Sequence, residues 1–308
     1  MVVSKRRRFG RKFWRETLEG YMFIFPVVLG LLIWTIGPMV ASFVLSFTEY
    51  PLLQAPKWIG LLNYVDIFTR TEELKVIHSL KITGTYAIMA LPLGLILALL
   101  AALLINQKVR YIPIFRTAFY LPTIVPAVAS AFMWGWLLNP EFGIVNQFLK
   151  GIGMTSPPRW MAEPESALPS LVLVGLWGIG GSMIIFLAGL QSIPEVLYEA
   201  AKIDGANDWQ MFWRITLPQL SPTMFFLLVT GMIGTLQYFG TAYLMTGGTG
   251  GPLFATYFYN LNLYDKAFKW LFMGLASAMA WVLFAIIFVL TIVTFRSSNS
   301  WVFYEVQK

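Results

Sequence analysis

The side chains able to do chemistry inside the apolar stretches of this chain are hydroxyls, amides and aromatics. Thr123 and Ser130 lie in one stretch, with Trp134 and Trp136 further along it; Thr235, Gln237 and Tyr238 lie in another. Aromatic faces beside hydroxyl and amide partners suit a neutral polyol such as a sugar. Trp and Tyr also populate interface belts, and polar residues in a span also bind neighbouring helices, so each residue taken singly keeps both roles open. Nothing catalytic accompanies them. There is no HExxH, no glycine followed directly by lysine and hence no GxxxxGK[ST] phosphate loop, and no arguable nucleophile–base–acid set. A non-catalytic chain that hydrolyses no ATP alone is expected. Cysteine is absent, which removes disulfides, thiolate metal sites and a cysteine nucleophile. The one histidine, His78, has no Asp, Glu or Cys at ligand spacing, so a structural role and no metal site are expected.

The elements that must position these residues are apolar and long. The hydrophobic fraction is 57% and only 12% of residues are charged, against about a quarter in soluble domains. Six stretches, at about 21–47, 82–105, 117–138, 168–190, 220–243 and 271–295, are long enough to cross ~30 Å of hydrocarbon, and none contains Asp, Glu, Lys, Arg or His. The expected fold is an all-α integral membrane protein with six transmembrane helices: a basic segment at 1–20, a helical bundle at 21–295 and a tail at 296–308. Pro122 and Pro126 should break the backbone ladder near the middle of the third span. Freed carbonyls there require burial in protein or a watery cavity, which points to a pathway-lining helix around Thr123.

Orientation follows from the loops. Of 22 lysines and arginines, 14 fall on the side of the termini and 8 on the other, so both termini are expected in the cytoplasm. The basic start KRRRFGRKFWR reads as a topology determinant near anionic headgroups rather than a nucleic-acid site. The first apolar run also exceeds a signal-peptide core. Outside, 48–81 is long and mixed in charge. Segment 139–167 opens NPEFG and continues VNQFLKGIG, read as a short interfacial helix. Segment 246–270 opens TGGTGGP, where glycines permit positive φ and the proline bars a helix.

The inner connection at 191–219 is far longer than a turn needs. Ser192-Ile-Pro-Glu195 reads as a capping box, a helix should run over 195–202, and Gly205 should be its left-handed stop. Asn207 or Asp208 can cap a second short helix through Arg214, before Pro218 and Pro222 turn the chain into the fifth span. Leu197, Ala200 and Ala201 share one side of the first helix, and small alanines permit close approach by another protein. Trp209, Phe212 and Trp213 better suit headgroups.

This stretch, with Glu199-Ala200-Ala201, Asp204-Gly205-Ala206, Phe212, Ile215, Leu217-Pro218 and Pro222, resembles the EAA loop of the membrane permeases of binding-protein-dependent ABC importers, carbohydrate-uptake (maltose/oligosaccharide-type) branch. The blocks LPTIVPAVASAFMWGWLLNPEFGIVNQFL, YLMTGGTGGPLFATYFY and GLASAMAWVLFAIIFVLTIVTFR…WVFYE are similar to the same family, so the likeness covers about 80–305. Lys81-Ile82-Thr83 departs, where relatives are expected to have Asn-Thr. The resemblance implies a type I importer permease fold in a bacterial or archaeal cytoplasmic (inner) membrane. It also implies a heterodimer with a second homologous permease, two ATPase subunits that bind ATP and Mg, and an extracytoplasmic solute-binding protein. Carried over, Glu199, Ala200, Ala201, Asp204 and Gly205 contact the ATPase as a coupling helix. Thr123 and the region of Thr235, Gln237 and Tyr238 lie near the translocated sugar. Glycerol-3-phosphate or another non-sugar solute is the alternative cargo. An ion-coupled secondary transporter would need charged groups that these spans lack.

Overall fold

The computed structural model describes residues 11–107 and 110–303. The basic residues at 5–8, Lys108 and the tail from 304 lie outside the described residues. Four helical stretches are long and apolar enough to cross a membrane: Phe13–Leu45, Val76–Ile105, Asp208–Met245 and Met273–Ser298. Two bent pairs add to them. Ile112–Ile124 and Ala127–Leu137 meet at 101°, and Pro164–Leu176 and Gly180–Ser192 at 47°, giving up to six if each pair crosses as one span.

The break in the third span falls where the prolines require it. A residue before proline is steered out of the α region, and Val125, before Pro126, is extended at φ −66°, ψ 127°. Pro122 sits inside the first half-helix near its end. The bend in the fourth span lies at 177–179 and has no proline; its glycine-rich run Trp177-Gly-Ile-Gly-Gly-Ser182 is the local cause. Gly180 also permits a close approach, because a Cβ there would strike the Phe119 carbonyl.

Two sequence expectations are corrected. Pro218 and Pro222 do not turn the chain, since helix continues through 208–236. Ahead of Pro218 the segment Phe212–Thr216 is π-helical, with the Leu217 N–H reaching the Phe212 carbonyl. That wider turn makes room for a ring that would clash in a regular α-helix. The same device, Leu32–Ile36, precedes Pro38 in the first span. Pro222 cannot donate to the Pro218 carbonyl, and Ser221 Oγ donates to it instead at 2.6 Å. The capping box at Ser192 also fails to form. Ser192 is the last residue of the preceding helix, its hydroxyl donates to the Gly189 carbonyl at 2.7 Å, and Pro194 begins the next helix with no side-chain cap.

The chain divides into two compact units, Met1–Val65 with Lys266–Trp281, and Asp66–Asp265 with Val282–Lys308. In the first unit a two-residue hairpin pairs Thr48 with Trp58, and Trp281 packs edge-on against Phe43 at 4.8 Å. In the second, Ala98, Ala101, Ala102 and Ile105 form a small-residue face of Val76–Ile105, packed with Phe186, Leu190 and Leu220. Within lipid such packing rests on close van der Waals approach, which small residues allow. A second cluster joins Tyr86, Leu171, Phe258 and Leu261.

That cluster is extended by buried polar bonds. Asn262 Nδ2 donates to the Leu74 carbonyl at 2.7 Å and to Ser79 Oγ at 3.3 Å, and the Tyr259 N–H reaches Thr83 Oγ1 at 2.9 Å. Tyr257 donates to Asp265 Oδ2 at 2.9 Å; burial, then the Asp265 charge, push its phenol pKa up, so it stays a donor. His78 lies in the first turn of the helix Val76–Ile105 rather than in the preceding loop, with Nε2 3.0 Å from the Phe254 carbonyl. The glycines of TGGTGGP do adopt positive φ, and Pro252 opens a single 3₁₀ turn.

Candidate functional sites: an exposed helix–turn and a glycine-lined cavity

The helix of the long connection runs Glu195–Ile203 and ends at Gly205, whose φ is 79°. The Gly205 N–H bonds the Lys202 carbonyl at 3.1 Å and the Ala206 N–H bonds the Ala201 carbonyl at 2.9 Å. This double closure is a Schellman stop, which wants glycine at the left-handed position. Asn207 then caps the next helix in a reciprocal box with Gln210, at 2.9 and 3.0 Å. Of the two caps allowed by sequence, Asn207 is the one used.

One side of this helix is anchored. Tyr198 packs on the cluster around Leu220, and its hydroxyl lies 2.9 Å from Thr216 Oγ1 in the π-helical segment. Ala201 is half-buried. Glu199, Ala200, Asp204 and Gly205 are exposed, beside Val196 at 69% and Ile203 at 87% exposure. So five residues grouped by sequence fall in one turn-and-helix, with Ala201 on its inner side. Val196 and Ile203 extend the exposed face and were missed; their spacing with Glu199 and Ala200 was the available signal. Trp209, Phe212 and Trp213 form a ring cluster with centroids 5.4 to 6.3 Å apart.

The second site is a cavity of about 530 Å³ among the helices Val76–Ile105, Gly180–Ser192 and Leu217–Leu236, reaching the bend before Gly180. Glycines form much of its wall, and Ser182, Thr230 and Thr235 supply hydroxyls; none of its lining residues is charged. Thr230 donates to the Phe226 carbonyl at 2.8 Å and Thr235 to the Gly231 carbonyl at 2.9 Å. Their lone pairs remain for a guest, so both act as acceptors. The Ser182 hydroxyl makes no hydrogen bond among the described residues.

Of the four residues expected along the pathway, only Thr235 lines this cavity. Thr123 is exposed at the end of its half-helix, donating to the Tyr120 carbonyl at 2.6 Å. Gln237 ends the Leu217–Leu236 helix, and its carbonyl accepts from Asn260 Nδ2 at 2.9 Å. Tyr238 stacks on Tyr86, centroids 4.3 Å apart, as part of the aromatic cluster. Ser182 and Thr230 were missed. The signal for Ser182 was the glycine run that makes the bend; Thr230 had none beyond its hydroxyl. Trp134 packs edge-on against Trp177 at 5.9 Å, at that same bend.

Broken apolar spans, a long connection ending in a presented helix, and an uncharged cavity define an importer permease. The chain belongs to the family of binding-protein-dependent transport system inner membrane components, whose profile matches residues 90–299. It is 45% identical over 94% of its length to the probable ABC transporter permease protein YesP of Bacillus subtilis (strain 168), 94% of which is covered. It is 32% identical to the trehalose/maltose transport system permease protein MalF of Thermococcus litoralis, over 91% of this chain and 93% of that one. A crystal structure of a bacterial ABC transporter that imports the acidic polysaccharide alginate matches with a TM-score of 0.77 at 26% identity, covering 97% of this chain and 100% of that one. The chain is therefore a multi-pass inner-membrane permease subunit of an ABC importer.

Proposed function

We propose that this permease carries a neutral sugar or oligosaccharide, received from an extracytoplasmic solute-binding protein and driven by ATP hydrolysis in partner subunits. The observation that bears most weight is the exposed helix–turn at 195–205, fixed from behind by Tyr198 and stopped by Gly205. A rigid projection of this kind can receive a push from a partner. In this account it is a coupling helix, with Glu199, Ala200 and Gly205 at the ATPase surface and the chain itself non-catalytic. Two ATPase subunits hold ATP and Mg, and a second, related permease completes the membrane part. Six spans, both termini in the cytoplasm and the connection at 191–219 on the same side accord with the excess of basic residues there. Closure of the ATPases moves the coupling helices, and the permeases rock between inward- and outward-facing states.

Cargo of the sugar class is supported by relatives named for trehalose/maltose and, at 33% identity, lactose transport. A related structure includes an alginate pentasaccharide-bound periplasmic protein. Alginate is acidic; the uncharged cavity here, with Thr230 and Thr235 as acceptors, favours a neutral polyol. The test is co-purification of the tagged chain from its native membrane, with partners identified by mass spectrometry, followed by uptake competition. A second permease, an ATPase and a binding protein, with competition by neutral saccharides, is expected. Recovery of the chain alone after mild crosslinking overturns the importer; competition by phosphorylated or acidic sugars alone overturns the neutral cargo.

A further inference from the structure

The short helix Ile144–Gly151 is mounted from one side only. Asn146, buried, donates through Nδ2 to the carbonyls of Pro140 at 3.2 Å and Pro158 at 3.0 Å, and its Oδ1 accepts from Trp160 Nε1 at 2.6 Å. Both amide hydrogens and the carbonyl of that side chain are thus engaged, which sets the helix's rotation about its axis. A helix this short would not hold in water alone; the mounting holds it. The opposite face shows Ile144, Phe148 and Ile152 at i, i+4 and i+8, with exposures of 54%, 67% and 66%.

This stripe does not stand alone. Val128, Phe132 and Trp136 form another exposed apolar stripe at the same spacing on Ala127–Leu137, the second half of the broken span. The two are bridged where Trp136 meets Phe142, ring centroids 6.3 Å apart, across a turn in which Asn139 Oδ1 accepts from the N–H groups of Glu141 and Phe142. The exposed apolar surface of Ala127–Leu137 therefore continues onto Ile144–Gly151.

We propose that Ile144–Gly151 lies in the headgroup layer at that end of the broken span, with Ile144, Phe148 and Ile152 among the lipid acyl chains. Continuity with the half-span surface selects lipid as the occupant. Lys150, two positions from Phe148 and on the polar side with Asn146, meets headgroups and water. The helix then acts as a float that sets the depth of Ala127–Leu137, a half-span that the break at Pro126 has cut from its other half.

The chain has no cysteine, so Phe148→Cys and Lys150→Cys each offer one spin-label site in the intact complex, with cysteine-free partner subunits, in phosphatidylcholine–phosphatidylglycerol vesicles. Power saturation should find the label at 148 accessible to oxygen and shielded from a nickel chelate, with an oxygen-to-nickel ratio several-fold above that at 150. Equal nickel access at both positions places the face in water and overturns the proposal. Shielding of 148 from both reagents places a protein partner there and overturns it equally. If Phe148→Cys fails to assemble, Ile152→Cys reads the same face.

Discussion

The Tyr198 hydroxyl and Thr216 Oγ1, 2.9 Å apart, tie the presented helix Glu195–Ile203 to the π-helical turn that opens the fifth span. In the proposed account, displacement of the helix passes to the Asp208–Met245 stretch through this one side-chain contact and the ring packing behind it. The π-turn exists because Pro218 follows it, so the proline of the sequence pattern acts by reshaping the helix at the receiving end of that contact.

Removing the bond while keeping the ring should loosen this link without unseating the helix. A single hydrogen bond contributes about 1 kcal/mol, so Tyr198→Phe should lower uptake by about fivefold at most, with normal amounts in the membrane. Tyr198→Ala, which also empties the ring's place in the cluster, should lose far more. Equal uptake in both variants would show that the contact transmits nothing.

The cavity can be narrowed without moving its walls. A Cβ at Gly94 would meet only Leu176 Cδ2, at 3.9 Å, so Gly94→Leu fits the backbone and fills the space beside Thr230 and Thr235. Uptake at low substrate should fall at least tenfold, larger saccharides being hurt most, while the thermal midpoint of the complex stays within a few degrees. Unchanged uptake of every saccharide would remove this cavity from the route.

The segment at 246–270 is held by Asn262, which is buried and bonded to the Leu74 carbonyl and Ser79. Asn262→Leu leaves that carbonyl without its donor, at a cost of about 1–3 kcal/mol. A lower unfolding midpoint in the purified complex is expected, with Asn262→Gln also destabilising because the longer side chain does not fit. A midpoint equal to wild type in Asn262→Leu would contradict the assigned bonds.

What could be read in the sequence follows from how local each cause is. The stop at Gly205, the cap at Asn207 and the break before Pro126 are set by one to three neighbouring residues; the stop and the break appear where the sequence puts them, and the cap falls on Asn207, one of the two residues the sequence allowed. The proline signals at Pro218 and Pro222 were misread because their effect depends on neighbours: a π-turn in front of one, and the Ser221 hydroxyl beneath the other. Ser192 looked like a cap, yet the preceding helix extends far enough to engage its hydroxyl first. Pathway residues were hardest to place. Thr123, Thr235, Gln237 and Tyr238 look alike as polar groups in apolar runs, and only tertiary packing separates Thr235 in the cavity from Tyr238 stacked on Tyr86. Five glycines line the cavity, Gly94, Gly175, Gly178, Gly181 and Gly231, and glycine is a residue whose chemistry is its lack of a side chain.

The central claim is that the helix–turn at 195–205 couples ATP hydrolysis to transport. Its most direct test measures both activities of the reconstituted complex with Gly205→Pro and Glu199→Lys. Proline cannot adopt the φ of 79° found at Gly205, and it removes the N–H that closes on Lys202; lysine at 199 reverses the charge of the presented face. The account predicts that uptake falls more than tenfold in each variant, that hydrolysis no longer tracks uptake, and that the permease remains in the membrane. Wild-type uptake with wild-type hydrolysis in both variants would contradict it.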